Sequence, residues 1–257
     1  MTNHRERGSF HTQEFQSRTL YLYTPPSYGT AGRRYPVVYV NDPLDYMDAQ
    51  SSKVMERLEQ LFREERLPEV IIAGVEPINR LHEYTPWPAK ALVEEFPDFG
   101  GEGLGYLSFI TQELKPYIDS RYKTEPDAAH TAMIGASLGG LISMVAAYEH
   151  PDVFGKIGLL SASFWYEGMM SYIQERNLYK DGSAKRVYMY VGDQEGVGKQ
   201  TIQSRMIAST EQVYDKLVNE GLSRRDLRFV IGLGGHHLVS VFEERFTEAL
   251  EWLWSSD

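Results

Sequence analysis

The chain has 257 residues, a formal net charge of −10, no cysteine, and 42% hydrophobic and 12% aromatic residues. That apolar content suffices for one sizeable core, while the acidic balance argues against nucleic acid or an anionic membrane as partner, since both need a basic face. The missing cysteines remove disulfides, thiolate chemistry and cysteine metal sites, and are compatible with a cytoplasmic protein.

No apolar run reaches the ~18 residues of a transmembrane helix. The polar start, Met1-Thr2-Asn3-His4-Arg5-Glu6-Arg7, lacks the apolar centre of a signal peptide. With no repeat, low-complexity tract or Pro/Ser-rich linker, residues 1–257 read as one domain. Residues 10–16 and 18–24 read as an opening strand pair, and 35–41 as a strand. A helix is expected over 53–66, with Val54, Leu58, Leu61 and Phe62 on one face. Then come a strand over 70–75 and a long loop-like stretch over 76–105. A helix over 104–122 aligns Leu107, Ile110, Leu114 and Ile118, with Pro116 placed to kink it. A short apolar strand precedes Gly135, and a helix starts near Leu138. Strands over 156–161, 186–191 and 227–232 alternate with helices over 210–219 and 241–254. Such alternation implies an α/β fold with a mainly parallel sheet and helices on both faces. Chemistry then gathers at the carboxyl ends of the strands.

One motif stands at such an end: Gly135-Ala136-Ser137-Leu138-Gly139. A serine at a strand-to-helix corner points outward, and the flanking glycines let strand and helix approach. The free N–H groups and dipole of the helix N-terminus favour an alkoxide or oxyanion there. A serine nucleophile needs a base, and the base an orienting acid. Past the strand ending at Val191 stand Asp193 and Glu195, and Glu195, three residues beyond Gly192, is preferred. After the last strand come Gly234-Gly235-His236-His237. Two adjacent histidines point in different directions, with no further ligand spaced nearby, so a metal site is the lesser reading. His4, His11, His82, His130 and His150 are less suitably placed for a base.

Taken together, these residues resemble the putative esterase (esterase D) family of α/β-hydrolases, closest in appearance to its enterochelin esterase-like members. The family also holds feruloyl and acetyl-xylan esterases, S-formylglutathione hydrolase and mycolyltransferases. The resemblance runs from about Thr19 to Trp254. It is carried by Tyr-Pro-Val-Val-Tyr-Val-Asn-Asp at 35–42, Arg80 with Glu83-Tyr84-Thr85-Pro86-Trp87, and Glu113-Leu114-Lys115-Pro116-Tyr117. It continues through Ile-Gly-Ala-Ser-Leu-Gly-Gly-Leu at 134–141, His150-Pro151, Ser161-Ala162-Ser163-Phe164-Trp165 and the final Gly-Gly-His-His. What it implies is an α/β-hydrolase fold and a triad of Ser137, His237 and Glu195. His237 is favoured over His236 because it lies five residues before Phe242. The resemblance also implies oxyanion donors at the N–H groups of Leu44 and Leu138. Asp42-Pro43-Leu44 departs from the relatives' Asp-Gly pair, but the donor role falls to Leu44, which keeps its N–H.

The expected protein is thus a serine esterase acting through an acyl-enzyme on a small-molecule ester, with neither cofactor nor metal. A siderophore trilactone is one candidate substrate and a feruloyl or acetyl sugar another; acyl transfer and non-catalytic binding are the rivals. The stretches 76–105 and 164–183 are expected to wall the substrate site, with Arg80, Tyr84, Trp87 and Trp165 as candidate contacts. Arg80, Lys90, Lys199 and Arg205 could form a basic patch for an anionic substrate.

Overall fold

In the run Pro-Val-Val-Tyr-Val, alternate side chains enter different cores. Val37–Val40 (β3) is buried throughout, with Val37 and Tyr39 in one hydrophobic cluster and Val38 and Val40 in the other. A strand apolar at every position leaves no face for water, so helices must cover both sides of its sheet. The structure, a computed structural model, describes residues 7–48, 52–178 and 185–255. The readings made on residues 1–6, His4 included, and on 179–183 lie outside these.

Ser9–Phe15 (β1) and Arg18–Thr24 (β2) pair antiparallel, and β2 pairs antiparallel with Ile71–Val75 (β4). From β4 onward every pairing is parallel, through β3, Thr131–Ala136 (β5), Lys156–Leu160 (β6), Arg186–Gly192 (β7) and Leu227–Gly232 (β8). The eight-stranded order is β1-β2-β4-β3-β5-β6-β7-β8. This is the mainly parallel sheet that the alternating pattern implies.

Helices run over Leu44–Met47 (α1), Val54–Arg63 (α2), Arg80–Glu83 (α3), Gly103–Phe109 (α4), Lys115–Arg121 (α5) and Leu138–Glu149 (α6). Met169–Gln174 (α7), Met206–Asn219 (α8) and Val239–Leu253 (α9) follow. α2 and α9 cover one face of the sheet through Val54, Leu58, Phe62, Phe242, Phe246 and Leu250. On the other face, α4, α5, α6 and α8 contribute Leu107, Ile118, Leu141, Val145 and Val213. Both readings of apolar periodicity, at 53–66 and 241–254, correspond to these buried stripes. α6 differs, being buried from Leu138 through Ala147, as suits a helix packed into the centre of the molecule.

The helix expected over 104–122 is present but widens in its middle. Ile110–Leu114 makes a π-helical turn, and the Lys115 N–H donates to Ile110 O. Pro116 then opens α5, where its missing N–H is tolerated. The proline is thus accommodated by one wide turn rather than by a break.

The corner between β5 and α6 is the tightest approach in the region. A Cβ on Gly135 would stand 2.6 Å from the Gly139 carbonyl carbon and 3.0 Å from Asn41 Cβ. In contrast, nothing lies within 4 Å of a Cβ built on Gly105, within α4. Gly135→Ala should therefore lower stability by about 1–3 kcal/mol. Gly105→Ala should raise it by about 0.5–1 kcal/mol, because alanine restricts the unfolded chain and favours the helix. Denaturant midpoints of the two variants check both signs.

Candidate active site

Ser137 links β5 to α6 with φ 55° and ψ −119°, a conformation disfavoured for a residue with a Cβ. Two bonds to the neighbouring strand end hold it there. Its N–H donates to Leu160 O at 2.9 Å, and Ser163 N–H donates to Ser137 O at 3.0 Å. The Ser137 hydroxyl lies 3.3 Å from the Ser163 hydroxyl, and no hydrogen bond joins it to a histidine among the described residues. Leu138 is the first residue of α6, so its N–H has no acceptor within the helix.

The second expected oxyanion donor belongs to the turn after β3. Asp42 takes φ 56°, Pro43 caps α1, and Leu44 is the first helical residue, again with no acceptor for its N–H inside the helix. A dense set of polar contacts fixes this turn. Arg80 Nε and Nη2 donate to the two Asp42 carboxylate oxygens, each at 2.8 Å, a bidentate geometry that sets orientation as well as distance. The Arg80 guanidinium also lies 5.4 Å from the Tyr84 ring centroid. The Asp42 N–H donates to the Tyr84 hydroxyl at 3.0 Å. Burial pushes the Tyr84 phenol well up, so it stays neutral. Asn41 donates to Gly139 O at 3.1 Å and to Ser143 Oγ at 3.0 Å, and accepts from Tyr106 Oη at 2.8 Å. It thereby ties the end of β3 to the first turn of the helix behind Ser137.

His237 and Glu195 meet across the ends of β7 and β8. His237 Nδ1 is 2.7 Å from Glu195 Oε2. The Glu195 side chain is 1% exposed and that of His237 37%, so the carboxylate is sealed in while the imidazole reaches the surface. The other carboxylate oxygen accepts from Gly192 N–H at 3.0 Å and Ser161 Oγ at 2.5 Å. Phe242 meets the His237 ring edge to face, at 5.0 Å and 83°. The His236 ring is exposed and has no hydrogen bond or ion pair among the described residues. Asp193 serves the backbone instead, its Oδ1 accepting from Gly234 N–H at 2.8 Å. Among the described residues, no group of three or more His, Asp or Glu side chains is arranged to hold a metal ion.

A cavity of about 600 Å³ is lined by Ala89–Leu92 and Phe99 from the long loop and by Phe164–Gly168 facing it. The two walls are joined by reciprocal bonds. Tyr166 Oη donates to Trp87 O at 2.5 Å, and Trp87 Nε1 donates to Glu167 O at 2.8 Å. Burial pushes Tyr166 up to about 12, which keeps it a donor. The start of α8 closes the cavity with Arg205 and Ser209. Of the four expected substrate contacts, Trp165 lines this space. Tyr84 is wholly buried and braces the Asp42 turn, Arg80 is committed to Asp42, and Trp87 joins the walls. Packing and charge pairing thus engage those three side chains within the protein. Sequence reasoning missed Asn41, Ser161 and Ser163, whose one signal is a polar residue just past an apolar strand.

Comparison with known proteins accords with this architecture. A family model described as "Putative esterase" matches residues 14–253. An uncharacterized protein of Bacillus subtilis, YbbA, is 43% identical over 98% of both chains. An endo-1,4-beta-xylanase/feruloyl esterase of Xylanibacter ruminicola is 26% identical over 69% of this chain and 23% of its own length. Among solved structures, the enterobactin esterase of Shigella flexneri superposes with a TM-score of 0.72 at 18% identity, over 96% of this chain and 59% of that one. The match over nearly the whole chain places this protein in the esterase family, as a carboxylic ester hydrolase with an α/β-hydrolase fold.

Proposed function

We propose that the protein is a serine esterase working through an acyl-enzyme, with Ser137 as nucleophile, His237 as base and Glu195 as orienting acid. The observation that carries this is the 2.7 Å bond from His237 Nδ1 to the buried Glu195 carboxylate. With Nδ1 engaged, Nε2 is the nitrogen left to take a proton. The Ser137 hydroxyl turns from Ser163 toward His237 and attacks the ester carbonyl. Its proton passes to His237 Nε2, and the carbonyl oxygen becomes an anion facing the N–H groups of Leu44 and Leu138. Collapse of the tetrahedral adduct breaks the ester C–O bond, and His237 returns the proton to the departing alkoxide. Water then repeats the sequence on the acyl-enzyme, freeing the acid and Ser137.

The cavity favours an ester with an aromatic acyl arm. Its walls carry Phe99, Phe164, Trp165 and Tyr166. A flat aromatic ring would stack against them. Charge weighs against a strongly anionic ferric catecholate: of the four cations expected to meet it, Arg80 is paired with Asp42 and Lys90 with Asp98, leaving Arg205 as the remaining one of them on the cavity wall. Uncomplexed aromatic esters, whether hydroxycinnamoyl or a metal-free catecholate lactone, fit better.

Ser137→Ala should lower kcat by roughly three to six orders of magnitude and abolish labelling by a fluorophosphonate, with the fold intact. Retention of activity within about tenfold would end the serine mechanism.

His237→Ala should be nearly inactive, while His236→Ala keeps most activity. Glu195→Gln should lose about 10²- to 10⁴-fold in kcat. Asp193→Asn, which still offers Oδ1 to Gly234, should stay within about tenfold. Matched kinetics that reverse either ranking reassign the base or the acid.

On a panel of methyl ferulate, a catecholate trilactone with and without iron, and an acetylated sugar, kcat/KM should be highest for the iron-free aromatic esters. Trp165→Ala should depress those and spare the acetyl ester. Preference for the acetyl sugar would remove the aromatic reading.

A further inference from the structure

Ser161 directly follows β6 with no solvent exposure and takes φ 47°, a left-handed conformation unfavourable for serine. Its N–H donates to Tyr190 O at 2.7 Å, continuing the ladder with β7. This conformation aims its hydroxyl at Glu195 Oε1, 2.5 Å away. The carboxylate thus receives three donors from three segments: Ser161 at the end of β6, Gly192 N–H at the end of β7, and His237 from the loop after β8. A buried carboxylate requires such donors. Of the two on Oε1, only Ser161 supplies a side chain.

The same turn touches the nucleophile. Leu160 O accepts from Ser137 N–H, and Ser163 N–H donates to Ser137 O, on either side of Ser161 and Ala162. One rigid backbone segment therefore registers the acid against the nucleophile. The acid's own turn, between Gly192 and Gly196, contacts the histidine loop but gives no such link to Ser137.

We propose that Ser161 is a positioning residue of the triad, its hydroxyl locking the Glu195 carboxylate in the rotamer that presents Oε2 to His237. This rests on the roles given above to Glu195 and His237. Without that hydroxyl the carboxylate loses one of its two Oε1 donors and gains rotational freedom. Other groups around Glu195 stay in place: His237, Asp193 in the same turn, Tyr190 of β7, and Arg245 of α9, which lies 4.9 Å from the Tyr190 ring centroid.

Ser161→Ala and Ser161→Gly both remove the hydroxyl, and glycine in addition suits φ 47°, so the pair separates the lost bond from backbone strain and guards against an unfolded alanine variant. Both should lower kcat by roughly 10- to 100-fold, the scale seen for outer partners of active groups, with KM changed less than about twofold. Both should displace the acid limb of the kcat/KM–pH profile. Thr210→Ala, which removes a buried hydroxyl of α8 that donates to Met206 O and does not touch Glu195, should leave that limb where it is. The proposal is overturned if Ser161→Gly keeps the wild-type kcat and pH profile, or if Thr210→Ala moves the acid limb equally. Glu195→Gln run in parallel distinguishes the two levels. A fully active Glu195→Gln removes the triad itself, whereas an inactive one beside a normal Ser161→Gly removes only the role of Ser161.

Discussion

The turn after β7 and the loop after β8 touch backbone to backbone at Gly192 and Gly235, and the placement of the imidazole depends on that contact. A Cβ on Gly192 would stand 2.3 Å from Gly235 O. With no side chain between them, the amides of Asp193 and Gln194 reach Gly232 O and Gly235 O, each at 3.0 Å. Asp193 adds its carboxylate to Gly234 N–H. A histidine on a free glycine-rich loop would sample many orientations, and ordering it at the moment of reaction would cost entropy. Here the loop is fixed before substrate arrives. Phe242 at the ring's edge and Glu195 on its nitrogen then remove the remaining rotamers.

The three strands nearest Ser137 end alike. Asp42 after β3, Ser137 after β5 and Ser161 after β6 take φ values of 56°, 55° and 47°. Such conformations cost of order 1–3 kcal/mol each for a residue with a Cβ. Glycine would relieve the cost, but each side chain has a task glycine lacks. The Asp42 carboxylate is clamped by Arg80, the Ser137 hydroxyl sits above the first turn of α6, and the Ser161 hydroxyl reaches Glu195. The strain is offset by the parallel ladder, since the amides of Ser137 and Ser161 bond Leu160 O of β6 and Tyr190 O of β7.

The layout of the sheet was readable because its causes are local. Apolar runs with breakers at both ends place β3 to β8, and period-3.6 stripes place α2 and α9. Ser137 was readable for a similar reason, as its motif encodes a backbone corner that only small neighbours permit. The partners of Arg80, Tyr84 and Trp87 were not. An aromatic or arginine in a long loop can face ligand or core, and the choice is made by partners far off in sequence: Asp42 for Arg80, Tyr106 beside Tyr84, and Glu167 for Trp87. Ser161 was hidden likewise, because its meaning comes from a carboxylate 34 residues downstream.

β8 is the terminal strand of the sheet, hydrogen-bonded to β7 alone, and His237 hangs from the loop that leaves it. Ser137 belongs to the central strand pair, flanked on both sides. Peripheral strands open at lower free energy than central ones. His237 is thus mounted on the region first to fray, while Ser137 is anchored in the region last to melt. Under the proposed mechanism, warming should silence the enzyme by detaching His237 while the bulk of the sheet is still native, and cooling should restore it without any need to refold the core.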